Sequence, residues 1–201
     1  MEKMADPSDL DLWHRAEHGD AESFGVLFDR HAGTIYNFCF RRTADWALAE
    51  DLTSTVFLEA WRRRAEVQPQ HDSLRPWLLG VATNVIRNST RTQRRRDAAE
   101  PRVAPSSASP DHADEVAARL DDESLIGRIL VTLDMLPPLD RDVLSLYAWG
   151  ELSYSEIAEV LGVPIGTVRS RLSRARDRLV ELAEISGHER DDPATSRRNP
   201  R

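Results

Sequence analysis

The residues best placed for chemistry in this chain of 201 residues are arginines spaced to grip a polyanion. From Pro164 the chain reads PIGTVRSRLSRARDRL. On a helix turning about 100° per residue, Ile165, Val168, Leu172, Ala175 and Leu179 share one apolar arc. Gly166, Ser170, Ser173 and Arg174 fall opposite, with Arg169 on one flank. Arg171, Arg176 and Arg178 occupy the remaining flanks. A face that is slim at its centre and cationic at its edges suits the major groove. Small side chains allow close approach, and forked guanidinium donors reach guanine edges or phosphates.

A second stretch, WLLGVATNVIRNSTRTQRRR at 77–96, joins an apolar start to a cationic end. Trp77, Leu78, Val81, Val85 and Ile86 can face a core. Asn84, Arg87, Asn88, Arg91 and Arg94 to Arg96 form the polar set. Phosphates attract the arginines, and an amide can read a base edge, so this segment suits a nucleic-acid strand.

Nothing comparable points to catalysis. His14, His18, His31, His71, His112 and His188 are scattered without metal-ligand spacing. There is no Gly-rich phosphate loop, nucleophile elbow or HExxH pair, so neither enzyme activity nor a cofactor or metal is expected. The lone Cys39 excludes an internal disulfide and sits on an apolar helical face, where a core thiol is expected. No apolar run nears the ~18 residues of a membrane span, and the acidic MEKMADPSDLDLW start lacks a signal-peptide apolar region. A soluble cytoplasmic protein is the expectation.

The net charge of -7 argues at first against nucleic acid, but charge is segregated along the chain. Residues 1–61 carry -7, residues 62–96 carry +7, and residues 97–123 carry -6. Residues 124–186 carry -2 and residues 187–201 carry +1.

Positioning these side chains requires helices throughout. Phe24, Leu27, Phe28, Ile35, Phe38 and Cys39 recur at helical spacing; Leu48, Leu52, Val56 and Ala60 repeat every four residues. The loop PQHDSLRP breaks the pattern before a third helix from about Trp77 to Arg94. Leu125, Ile129, Leu133 and Leu136 form a further stripe, ended by Pro137-Pro138. A short helix carrying Val143, Leu144 and Tyr147 stops at Trp149-Gly150. Ser153-Tyr154-Ser155-Glu156 is a capping box. A short helix, the Gly162-Val163-Pro164 turn and a long helix then make a helix-turn-helix. The expected fold is all-α, with two small helical domains at 10–96 and 122–185. A flexible acidic linker at 97–121, rich in Ala, Pro and Ser, joins them, and a disordered tail occupies 186–201.

Four stretches in order carry a family resemblance: FGVLFDRHAGTIYNFCFRRT, AEDLTSTVFLEAWRR, LRPWLLGVATNVIRNSTRTQRRR, and LPPLDRDVLSLYAWGELSYSEIAEVLGVPIGTVRSRLSRARDRL. Together they resemble an extracytoplasmic-function (group IV) sigma factor of the bacterial sigma-70 family, of actinobacterial type. The resemblance implies a promoter-specificity subunit, with region 2 at 10–96 and a region 4 helix-turn-helix at 122–185. It implies that Glu50, Asp51, Leu52 and Phe57 lie on the helix that docks on the beta-prime clamp helices of core RNA polymerase, while region 4 meets the beta flap. It places the loop Gln68–Arg75, including His71 and Asp72, with Asn84 at a base flipped from the minus-10 element. Arg87, Asn88, Arg91, Arg94 and Arg95 line that DNA path. Pro164, Thr167, Arg169, Ser170, Arg171, Ser173 and Arg174 are implied to read the minus-35 element. The family's frequent Asp-Leu-Thr-Gln-Glu/Asp reads Asp-Leu-Thr-Ser-Thr here, and Thr83 and Asn88 depart from the usual third helix, so minus-10 base preference does not transfer. An anti-sigma factor is a further implied partner. The competing reading, a stand-alone helix-turn-helix regulator, accounts for 125–180 but for neither AEDLTSTVFLEAW nor the basic segment.

Overall fold

The computed structural model describes residues 6–69, 71–99 and 126–188, and every regular element among them is helical. The first four helices are α1 (Asp9–Glu17), α2 (Ala21–Thr43), α3 (Trp46–Arg63) and α4 (Arg75–Ala99). After them come α5 (126–134), α6 (Pro138–Ala148), α7 (Tyr154–Leu161) and α8 (Ile165–His188). Most of the linker expected at 97–121, and the tail beyond 188, lie outside the described residues. At two edges the expectation is corrected, because α4 continues to Ala99 and α8 continues to His188, into the tail expected from 186.

Local chemistry sets the boundaries. Ser8 caps α1 in a capping box with Asp11, a helix that the sequence reading did not separate from α2. Asp20 accepts from the backbone N–H groups of Glu22 and Ser23 at the start of α2. Between α2 and α3, Ala44 turns left-handed at φ 50° and Asp45 caps the next helix through Leu48 N–H. Pro138 opens α6, where its missing N–H costs no hydrogen bond. The predicted Ser153–Glu156 capping box forms at α7, and Gly162 closes that helix at φ 63°.

Helices α1 to α4 make one bundle around Leu12, Trp13, Leu27, Phe38, Val56 and Leu78. Helices α5 to α8 make a second. The two expected modules are present, but their cores are not separate. Val143, Leu146, Leu152, Ile157, Val168 and Leu172 of the second bundle belong to the same buried cluster as Leu79 and Ile86 of α4. The contact is close. A β-carbon on Gly80 would lie 2.9 Å from Val160 Cγ1, and one on Gly150 would lie 3.1 Å from Leu79 Cδ1.

Three expected stripes need correction, the first on α2, where Phe28 is 40% exposed. Ile129 is 43% exposed, because α5 turns Leu130 and Leu133 inward. Ile165 is 41% exposed at the first turn of α8. Val168, Leu172 and Ala175 are buried as their spacing requires.

Candidate nucleic-acid interface

The loop preceding α4 is held from behind by α1. Trp13 Nε1 donates to Val67 O at 3.1 Å, and Arg64 Nε donates to Ala16 O at 3.1 Å. Deeper in, the carboxylate of Asp9 is a buried hub. Its Oδ1 takes Arg30 Nη1 at 3.0 Å, and its Oδ2 takes Leu74 N–H at 2.9 Å and the His31 ring at 2.6 Å. Ser73 Oγ adds a fourth bond at 3.2 Å. Burial raises the carboxyl pKa, but the Leu74 N–H, Arg30 and His31 outweigh it, so Asp9 stays below its ordinary value of 3.8. Sequence reasoning missed Asp9. Its position just after the Ser8 cap reads as an ordinary first-turn acid, and only the fold brings Arg30, His31 and Leu74 to it.

The loop so anchored faces a cavity of about 260 Å3. Gln68, Pro69, His71 and Ser73 line it from the loop, and Trp77, Gly80, Val81 and Asn84 line it from α4. The structure thus brings His71 and Asn84 together; Asp72 lies on the exposed side of the same loop. Glu159 and Val160 of α7 close the other side. His71 Nε2 lies 2.7 Å from Glu159 Oε2, and Arg75 bonds Gly150 O and Glu151 at the next turn. In the docked arrangement, the helix-turn-helix module covers this cavity.

Along α4, Asn84, Asn88, Arg91 and Arg95 are exposed on one stripe, spaced three or four residues apart. The side chain of Arg94 lies outside the described residues. Arg87 differs from its neighbours. Its Nε donates to Asp142 Oδ2 at 2.7 Å, while Arg42 Nη1 holds Asp142 Oδ1 at 2.9 Å.

On α8, Arg169, Ser170, Ser173 and Arg174 are exposed together, with Pro164 at the leading edge and Thr167 half-buried beside it. Arg171 turns away, its Nη1 donating to the buried Asp140 at 2.6 Å. It secures α8 to α6, and is not presented with the other arginines. A flank position three residues after Val168 and four before Ala175 leaves both options open in sequence, and the acid on α6 decides.

On α3, Glu50 and Asp51 are exposed, whereas Leu52 and Phe57 are buried. The outward face also carries Leu58, 56% exposed, next to the Phe28–Phe57 ring pair at 4.7 Å. Leu58 falls outside the every-fourth-residue stripe. That break in the pattern was the only sequence signal that it faces out.

A bundle with a basic helix beside an anchored loop, coupled to a helix-turn-helix with a free cationic face, defines a two-part DNA-directed protein. Comparisons with known proteins give it a family. The sigma-70 region 2 family model matches residues 27–96, and the sigma-70 region 4 model matches residues 126–179. The RNA polymerase sigma factor CarQ of Myxococcus xanthus is 34% identical over 84% of this chain and 93% of its own length. The ECF RNA polymerase sigma factor SigK of Mycolicibacterium vanbaalenii is 30% identical over 88% of each chain. The solved structure of CnrH in complex with the cytosolic domain of CnrY superposes with a TM-score of 0.66 at 26% identity, covering 88% of this chain and 97% of CnrH. The chain belongs to the extracytoplasmic-function RNA polymerase sigma factors of the sigma-70 family, and is an alternative sigma factor directing transcription initiation. No described helix is long and apolar enough to cross a membrane.

Proposed function

We propose a division of labour within that role, carried above all by the placement of His71 and Asn84 around one anchored cavity at the foot of the basic stripe. Region 2, residues 10–96, binds core polymerase through the exposed face of α3 and takes up the minus-10 element. Glu50 and Asp51 meet basic groups of the beta-prime clamp helices, with Leu58 as their apolar neighbour. Leu52 and Phe57 act beneath this face by fixing α3 in the core. The cavity accepts a base turned out of the duplex, at a stacking cost of a few kcal/mol that the arginine stripe Arg91–Arg95 helps offset. Region 4, residues 122–185, reads the minus-35 element with Arg169, Ser170, Ser173 and Arg174, and meets the beta flap.

The protein is a non-enzymatic specificity subunit of the cytoplasm, in group IV and of actinobacterial type. Its strong Arg-over-Lys usage and the likeness to the mycobacterial SigK support that placement. The linker joins the two regions, and bivalent attachment to polymerase sets the spacing between the two promoter elements. Because Glu159 and Val160 cover the base cavity, the docked form must open before the minus-10 strand can enter. An anti-sigma partner acts on the same surfaces; the CnrH structure, solved in complex with the cytosolic domain of CnrY, is a case in which a chain of this fold takes a protein partner.

Arg174→Ala tests the division. Removing one forked contact costs about 1–3 kcal/mol of base or phosphate recognition. Run-off transcription from a cognate promoter should fall about tenfold or more, with core polymerase binding unchanged in gel filtration. Equal loss of both would overturn the assignment.

A further inference from the structure

Where α2, α4 and α6 meet, the docked modules enclose a second cavity, of about 440 Å3. Five arginines line it: Arg42, Arg87, Arg91, Arg95 and Arg141. One carboxylate, Asp142, shares the lining, and both its oxygens are taken by Arg42 and Arg87. Arg141 reaches Asp134 outside the lining, and its buried Nε has no acceptor among the described residues. No carboxylate among the described residues pairs with Arg91 or Arg95. Counting both acids, three positive charges remain without a counter-charge among the described residues. The strain registers on Arg42. Burial lowers its pKa, and Arg141 and Arg87 lower it further against the pull of Asp142.

The volume lies in the range of small-molecule sites, roughly 300–1,000 Å3. Arg91 and Arg95, one helical turn apart, offer adjacent forks to two neighbouring phosphoryl groups, and guanidinium forks match phosphate oxygens bidentately. Thr90 adds a hydroxyl on the same wall. A diphosphate carries roughly three negative charges near neutral pH, which matches the surplus.

We propose that this cavity binds a compact diphosphate group, free or at the end of a nucleotide, which bridges the two modules and holds them docked. The site shares Arg87, Arg91 and Arg95 with the minus-10 path, but Arg42 and Arg141 belong to it and to no DNA surface. It exists only while α6 lies against α2 and α4. An anion in it therefore competes with opening, and opening uncovers the base cavity. The proposal does not depend on the promoter reading, since binding is measured without polymerase or DNA.

The test is isothermal titration calorimetry of the full chain with inorganic pyrophosphate and with a nucleoside diphosphate, against sulfate at matched ionic strength. Saturable binding of one diphosphate per chain is expected, at least tenfold tighter than sulfate. A nucleotide binding more tightly than pyrophosphate would identify the nucleotide as the source, and equal affinity would identify the free diphosphate. Arg95→Gln, on the exposed part of α4, should weaken binding about tenfold or more, the value of a charge-assisted contact. Arg62→Gln, on α3, should not. Val160→Asp alters no arginine but sets an unpaired carboxylate against Gly80, so it should separate the modules and weaken diphosphate binding at least tenfold. Undiminished binding by Val160→Asp would assign the phosphate affinity to the α4 stripe alone and overturn the bridging site. Binding no tighter than sulfate would overturn it outright.

Discussion

At the scale of single residues, two buried groups set expectations with a definite sign. Asp9 joins α1 to α2, the Ser73 hydroxyl and the Leu74 N–H through four hydrogen bonds. Asp9→Asn should destabilise the protein by about 2–3 kcal/mol at pH 7, because Arg30 and His31 lose their shared anion in a buried setting. The folded carboxyl pKa lies below its ordinary 3.8, so the carboxylate's stabilisation is complete above that value and is lost as pH falls through the folded pKa. Urea melts of wild type and Asp9→Asn should therefore differ at pH 7 and draw together as pH falls below 3.8 through the folded pKa. For Cys39, burial pushes the thiol pKa up to about 12, with Thr53 and Arg42 pulling weakly the other way. A thiol held protonated and enclosed does not react as a nucleophile. Iodoacetamide should leave Cys39 unmodified in the native protein and label it only in denaturant. Rapid native labelling would show the core opening around α2.

At the scale of elements, helix ends were the most legible features. Ser153 accepts from Glu156 N–H, and the Glu156 carboxylate returns to Ser153 at 2.7 Å. Burial raises the Glu156 pKa, but the Ser153 bonds lower it more, leaving it depressed. Ser153→Ala should cost about 1 kcal/mol, and Ser153→Asp should recover most of it. Thermal melts of the two variants check this, and equal melting temperatures for Ser153→Ala and wild type would mean that α7 is fixed by packing alone. The boundaries of α6 and α7 were visible because caps and turns act within four residues, whereas the caps Ser8 and Asp20 that separate α1 from α2 went unread. The buried faces of α5 and α8 were read less well. Ile129 and Ile165 have the spacing of core residues, yet each lies where the neighbouring element does not reach.

At the scale of the whole molecule, the decisive feature is the Asp142 clamp. Arg42, Arg87 and Asp142 come from three helices, and Asp142 is 1% exposed. Removing one partner from a buried ion pair costs about 3–5 kcal/mol, since the other charge is left without compensation. In Asp142→Ala the chain can avoid that cost by undocking, which returns Arg42 to water. Small-angle scattering should therefore show a larger radius of gyration for Asp142→Ala than for wild type. Far-UV circular dichroism should be retained. An unchanged radius would place the docking energy in the apolar Leu79–Gly80–Val160 contact instead.

The sequence by itself determined the all-helical class, the helix-turn-helix, the exposed Arg169–Arg174 face and the basic stripe of α4. These depend on periodicity and short-range capping, which act over a few residues and are written in their order. The division into two modules was equally readable, because a long stretch rich in Pro, Ser and acid interrupts the apolar helical period. Only the tertiary structure decided that the modules share a core, that Arg171 faces Asp140 while Arg169 stays free, and that α7 covers the His71–Asn84 cavity. Each of these turns on which charge or apolar face arrives from more than 30 residues away. A solvent-facing arginine and one clamped to a buried acid have the same local pattern, and long-range packing alone separates them.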